Sequence, residues 1–122
     1  MIIVMIASFS GCGSAPTLEG DWVLVKEINA DGSVWDRAFL EEKGVSEEYH
    51  ISGETATYVC YLLGKEITFD LEIVKRSNNT FDFMAGDTVF ATVTLDGDSF
   101  SYVMEYGDGN QTFVYERKPA DE

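Results

Sequence analysis

The sequence predicts an all-β protein, an antiparallel eight-stranded up-and-down barrel with one short helix after the first strand. Three observations predict it. Short runs alternate in character with period 2, as in Ile67, Phe69, Leu71 and Ile73 against Thr68, Asp70 and Glu72. Clusters of Gly, Asn and Asp separate these runs at short intervals, and tight hairpins need residues that tolerate positive φ. Consecutive hairpins make a meander, and a twisted eight-stranded meander removes its exposed edges by closing on itself. Apolar residues on the second face, notably Val74 and Phe90, leave a two-sheet sandwich as the alternative.

The first strand spans 22–28, with Trp22, Leu24 and Ile28 on one side and Val23 and Val25 on the other. Asp31 and Gly32 make a turn. The stretch 36–43 holds Ala38, Phe39 and good helix formers ahead of Gly44, which predicts a short helix with a glycine stop, lying across one end of the strands. Seven more strands follow at 48–52, 55–62, 66–75, 80–84, 88–95, 99–106 and 111–117. The face carried by Ile67, Phe69, Leu71 and Ile73 should look inward, as should Val89, Ala91, Val93 and Leu95, and Phe100, Tyr102, Met104 and Tyr106.

Eight strands leave an interior just wide enough to be filled by side chains or to hold one small ligand. Phe69, Phe81, Phe83, Phe100, Tyr102, Tyr106, Phe113 and Tyr115 all compete for that space, and each ring can bury on the order of 150 to 250 Å². A packed core and a residual pocket are both open on this reading. The tyrosines favour a site, because a phenol in a lumen needs a polar partner that a ligand can supply. Tyr58, Phe100, Tyr102 and Tyr115 are the candidate ligand-binding residues.

Charge excludes one class of partner. With 22 acidic against 8 basic residues and a formal charge of −14, the chain lacks the Lys and Arg that neutralise phosphates in nucleic-acid binding. An anionic lipid surface would repel it too. The densest acidic group, Glu41, Glu42, Glu47 and Glu48, reads as a solvated face.

No residue pattern marks catalysis. His50 is the single histidine and lies in a strand, with neither a nucleophile context nor partners at metal-ligand spacing. The acidic turns at 96–98 and 108–110 lack the twelve-residue loop with a closing Glu that calcium sites use, and read as hairpin turns. Many carboxylates are present, but nothing singles out two that face each other. The expectation is a non-enzymatic protein with no cofactor and no metal. Cys60, in an apolar strand flanked by aromatics, reads as an inert core thiol.

Two resemblances refine the picture. Gly20-Asp21-Trp22 opens the first strand, Arg117 closes the last in phase with Phe113 and Tyr115, and the longest connection, 29–46, follows strand one. This combination resembles the lipocalin and calycin group. The resemblance implies a lipocalin-like barrel in which Trp22 and Arg117 are structural, the guanidinium packing across the indole at the closed end. The chain is shorter than typical lipocalins and lacks an obvious helix after the last strand, which implies a shallower barrel.

The second resemblance lies at the start, where an apolar run from Ile2 to Phe9 ends in Ser10-Gly11-Cys12. It resembles the lipobox of bacterial lipoproteins, which implies a signal peptide over 1–11, a lipidated Cys12 with a short linker over 12–18, the barrel over 19–118 and a tail over 119–122. No Lys or Arg precedes Cys12, whereas a secretory signal opens with positive charge, so residues upstream of Met1 are expected. A buried first strand is the other reading of the run. Taken together, the sequence predicts a monomeric extracytoplasmic protein on a bacterial cell membrane, held by a lipid on Cys12 and binding a small hydrophobic or aromatic ligand. The alternative is a cell-envelope interaction module with a filled barrel.

Overall fold

The computed structural model describes residues 17–106 and 109–118, with Tyr106 described by its backbone alone. The predicted signal segment, Cys12, most of the linker and the 119–122 tail lie outside the described residues. The elements are β1 (Gly20–Ile28), β2 (Val34–Asp36), α1 (Arg37–Glu42), β3 (Val45–Ser52), β4 (Thr55–Leu62), β5 (Lys65–Lys75), β6 (Thr80–Ala85), β7 (Thr88–Asp96), β8 (Ser99–Tyr106) and β9 (Gly109–Arg117). All strand pairs are antiparallel, and β9 returns to pair with β1, so eight strands close into one barrel rather than splitting into a sandwich.

The ninth strand, β2, stands outside the barrel and pairs only with the upper half of β1, through Lys26, Glu27 and Ile28. The predicted pattern missed it because three residues are too few for alternation to register. Its hairpin is built by Asp31, whose Oδ1 accepts from the Ser33 amide at 2.9 Å and hydroxyl at 2.6 Å. The helix starts at its cap, Asp36, which accepts from the Phe39 amide at 2.9 Å, and stops at Gly44 in the left-handed region with φ 75°. It packs into the notch where β1 and β3 part, since these strands pair only from Gly20 to Val23. Leu40 is its buried plug.

Two irregularities correct the predicted inward faces. A bulge at Val25 shifts the β1–β9 register, so Trp22 and Leu24 face in but the next inward residue is Glu27, opposite Phe113, and Ile28 turns away. A second bulge between β6 and β7 leaves Phe90 without an opposite residue. Phe90 then reaches in against Tyr58, at 5.3 Å between ring centroids, while Val89 points out. Period-2 reasoning assumes an unbroken ladder, and each bulge reverses the phase beyond it.

The lower half of the barrel is filled. Trp22, Tyr49, Phe83, Phe100 and Tyr115 are all essentially buried, and their ring centroids lie 4.8–5.9 Å apart in tilted, edge-on and stacked pairs. The end is sealed by Arg117, whose guanidinium carbon sits 4.3 Å from the Trp22 ring centroid. Its nitrogens also donate to the Thr17 and Glu19 carbonyls at 2.8 and 2.6 Å and to Asp98 at 2.9 Å. The indole donates to the Leu18 carbonyl at 2.8 Å. Gly20 belongs to this knot, because it sits at φ 127° and a Cβ there would stand 3.1 Å from Arg117 Nη1.

The knot gives a measurable expectation. Arg117→Met keeps a chain lying over the indole but removes the charge and the bonds to two carbonyls, and should cost about 2–4 kcal/mol in urea unfolding. A change below about 0.5 kcal/mol would show that the stack contributes only as packing.

Candidate functional site

Above the aromatic floor the wall opens. Strand β6 pairs with β5 only between Glu72 and Lys75, which leaves the β5 edge from Lys65 to Leu71 without a neighbour. On the other side, β7 pairs with β8 only at Thr94, Leu95 and Asp96. The short β6–β7 hairpin therefore stands between two gaps, while the β4–β5 and β8–β9 hairpins reach past it. A groove of about 570 Å³ follows the first gap, lined by Thr57, Leu71, Met84 and Gly86 among others.

The opening exposes side chains that face the lumen. Cross-strand register places Ile67 beside Cys60 and Phe69 beside Tyr58, on the inward face shared with buried Leu71 and Ala56. Yet Ile67 is 43% and Phe69 46% exposed. They were expected to lie in the interior. They do face it, but the interior at their level is open to solvent. Phe69, Phe90 and Tyr58 form a triangle of rings with centroids 5.3–6.2 Å apart, and Cys60 and Met104 pack beside the buried core.

Polar groups converge at the boundary between this open half and the packed floor. Glu47 Oε1 accepts from the Tyr58 and Tyr115 hydroxyls, each at 2.7 Å. The Tyr102 and Tyr115 hydroxyls are 3.1 Å apart, and Tyr49 donates to Tyr102 at 3.4 Å. Burial, together with the charge of Glu47, pushes the Tyr58, Tyr49 and Tyr115 phenols well above their ordinary range, so they stay protonated and act as donors. On β1, the strand between β9 and β3, Glu27 accepts from Gln111 Nε2 at 2.6 Å, and that amide also donates to Asn29 at 3.0 Å. Burial first, and then the negative charge of Glu47, raise Glu27 to about 7.

Of the four candidate ligand residues, the structure brings Tyr58, Tyr102 and Tyr115 into this network. Phe100 lies apart, buried between Trp22 and Tyr115 in the floor. Glu27 and Glu47 are the residues sequence reasoning missed, and Glu47 is a correction: grouped with the solvated acids, it is only 9% exposed. Extending the alternation Ile51, Tyr49 back along β3 would have placed it inward. Glu27 had no such signal, because only the Val25 bulge turns it in. Cys60 borders the same space, and burial raises its thiol pKa, which disfavours the reactive thiolate. His50 sits on the outer face between Asp21 and Glu48, at 2.9 and 3.3 Å. Among the described residues no three His, Cys, Asp or Glu side chains are arranged to hold a metal.

No family model matches the chain, and no curated protein matches it. Solved structures share its fold. A redesigned β-barrel aligns at 16% identity over 84% of this chain and 92% of its own, with a TM-score of 0.52. A Schistosoma mansoni fatty acid binding protein, solved in complex with arachidonic acid, aligns at 18% identity over 88% of this chain and all of its own, also with a TM-score of 0.52. At these identities the likeness shows the fold alone, an antiparallel β-barrel.

The raised Glu27 carboxyl makes stability fall with pH. The folded chain holds a proton that the unfolded chain releases near 4.5, so stability should decline between pH 4.5 and about 7 and level off above that. Because water reaches the open half, the expected loss is about 1–2 kcal/mol, below the full equivalent of the shift. Glu27→Gln should flatten the profile in urea melts at pH 5 and pH 8. An unchanged slope in that variant would move the effect to another group.

Proposed function

We propose that this protein is a lipid-anchored extracytoplasmic lipoprotein whose lipocalin-like barrel holds a small hydrophobic ligand in its open upper half. One observation carries the ligand reading. Ile67 and Phe69 face the lumen yet remain 43% and 46% exposed, so apolar walls stand ready to be covered. A closed, packed barrel would have buried them. The fatty acid binding protein that shares the architecture was solved with a lipid, which agrees with this use of the fold. Tyr58 and Phe90 would flank the ligand, Tyr102, Tyr115 and Glu47 would meet its polar end, and Phe100 would support them from below. No catalytic step is assigned to the site.

The anchor rests on the lipobox-like Ser10-Gly11-Cys12 after its apolar run. The first described residue, Thr17, stands at the sealed end, where Arg117 holds its carbonyl. An anchor on Cys12 would therefore tether the barrel by its closed end and leave the open half free. The second reading, an envelope interaction module, draws on Val34 and Trp35, which are exposed on β2 with Trp35 resting 5.1 Å from Phe39.

Nile red, a neutral dye that fluoresces in apolar surroundings, should bind the protein, and Phe69→Ser should weaken binding at least tenfold. Val103→Ser removes an exposed apolar residue from the outer face of β8 and should leave it unchanged. Equal loss in both variants would put the dye on the outer surface and end the carrier reading. In a bacterial host, Cys12→Ser should move the protein from the membrane to the soluble fraction, and persistence at the membrane would remove the lipid anchor from the proposal.

A further inference from the structure

The polar end of the lumen selects a charge. Glu27 and Glu47 are 6% and 9% exposed, on the neighbouring strands β1 and β3. Register sets Glu27 beside Phe113, and the Tyr115 hydroxyl, two residues on, binds Glu47. Neither carboxylate pairs with Lys, Arg or His among the described residues. The basic groups are engaged elsewhere or exposed: Arg117 at the sealed end, Arg76 with Asp82, Lys118 with Glu48, and Arg37 with Glu41 at the helix. Lys26, Lys43, Lys65 and Lys75 are on the surface.

Each carboxylate also has an oxygen to spare. Glu47 Oε1 takes both phenol protons and Glu27 Oε1 takes the Gln111 amide, while the second oxygen of each accepts no hydrogen bond among the described residues. Two buried carboxylates, each with an oxygen that accepts no hydrogen bond among the described residues, and with the charge of Glu47 adding to the burial that raises the Glu27 carboxyl, favour a positive group beside them. A cation would relieve the repulsion and fill the vacant acceptors. The rings of Tyr58, Phe69 and Phe90 add the aromatic faces that attract ammonium groups and cover an attached hydrocarbon.

We propose that the lumen binds an amine, with its ammonium group between Glu27 and Glu47 and its apolar or aromatic body against Ile67, Phe69 and Phe90. The inference rests on the lumen being a ligand site. A fatty acid would bring a third negative charge to the same place, so this barrel should reject the head group that the structurally similar binding protein accommodates.

The test compares three ligands with one tail, dodecylamine, dodecanol and dodecanoate. Each is titrated calorimetrically at pH 8 and below its micelle concentration into the full chain carrying Cys12→Ser to prevent acylation. Dodecylamine should bind at least tenfold more tightly than dodecanol, and dodecanoate more weakly than either. Glu47→Gln and Glu27→Gln should each weaken the amine about tenfold more than they weaken the alcohol. The alcohol also reports that the variants keep a competent lumen. Equal binding of amine and alcohol, tighter binding of dodecanoate, or Gln variants with undiminished amine affinity would each overturn the charge assignment while the carrier reading stands. Failure of all three ligands to bind would overturn both.

Discussion

Strand β1 carries a constraint on which the rest of the molecule depends, because it must satisfy three neighbours with two edges. One edge runs along β9 and closes the barrel. The other is divided, with its lower half bonded to β3 and its upper half to β2. Backbone groups in a half-buried strand have to be paired, so once β3 leaves at Val23 another partner is required, and β2 supplies it. The space between the diverging strands then falls to α1 and its single buried leucine. A short strand, a short helix and the long connection are thus one solution to one geometric problem.

The same strand sets the chemistry of the interior. Its bulge at Val25 is a local event, yet it decides that an acid rather than an isoleucine enters the lumen. Glu47, on the neighbouring strand β3, comes in by ordinary alternation. Four tyrosines and two glutamates then share a space with little water, where the protonated phenols supply the donors and the carboxylates can only accept while ionised. Such a network fixes side-chain positions well and tolerates charge poorly. That combination suits a recognition surface better than a core, since an all-apolar filling would be more stable.

Much of this was legible beforehand and some was not. Gly20, Trp22 and Arg117 could be read because each has a residue-specific reason to be where it is: a missing Cβ, an indole face and a guanidinium that covers it. The strand order and the short helix with its Gly44 stop came from patterns local to a few residues. The inward turn of Glu27 and Phe90 was hidden, because a bulge depends on the partner strand and leaves no mark on the periodicity of its own. The openness around Phe69 was hidden for another reason. Alternation states which way a side chain points, and the length of a neighbouring hairpin decides whether anything covers it.

The short β6–β7 hairpin has a consequence for how copies of the protein meet. It leaves the upper parts of β5 and β8 without a strand on that edge among the described residues, and open strand edges are templates on which another chain can add a strand. The β5 edge is interrupted by Lys65, Glu66 and Asp70, charges that a docking strand would have to desolvate. Each molecule also approaches its neighbour with a formal charge of −14, a repulsion that acts before edges can come into register. The acidity of the chain thus guards against the aggregation to which an incompletely sealed barrel is liable, and high salt is the condition under which that guard would weaken.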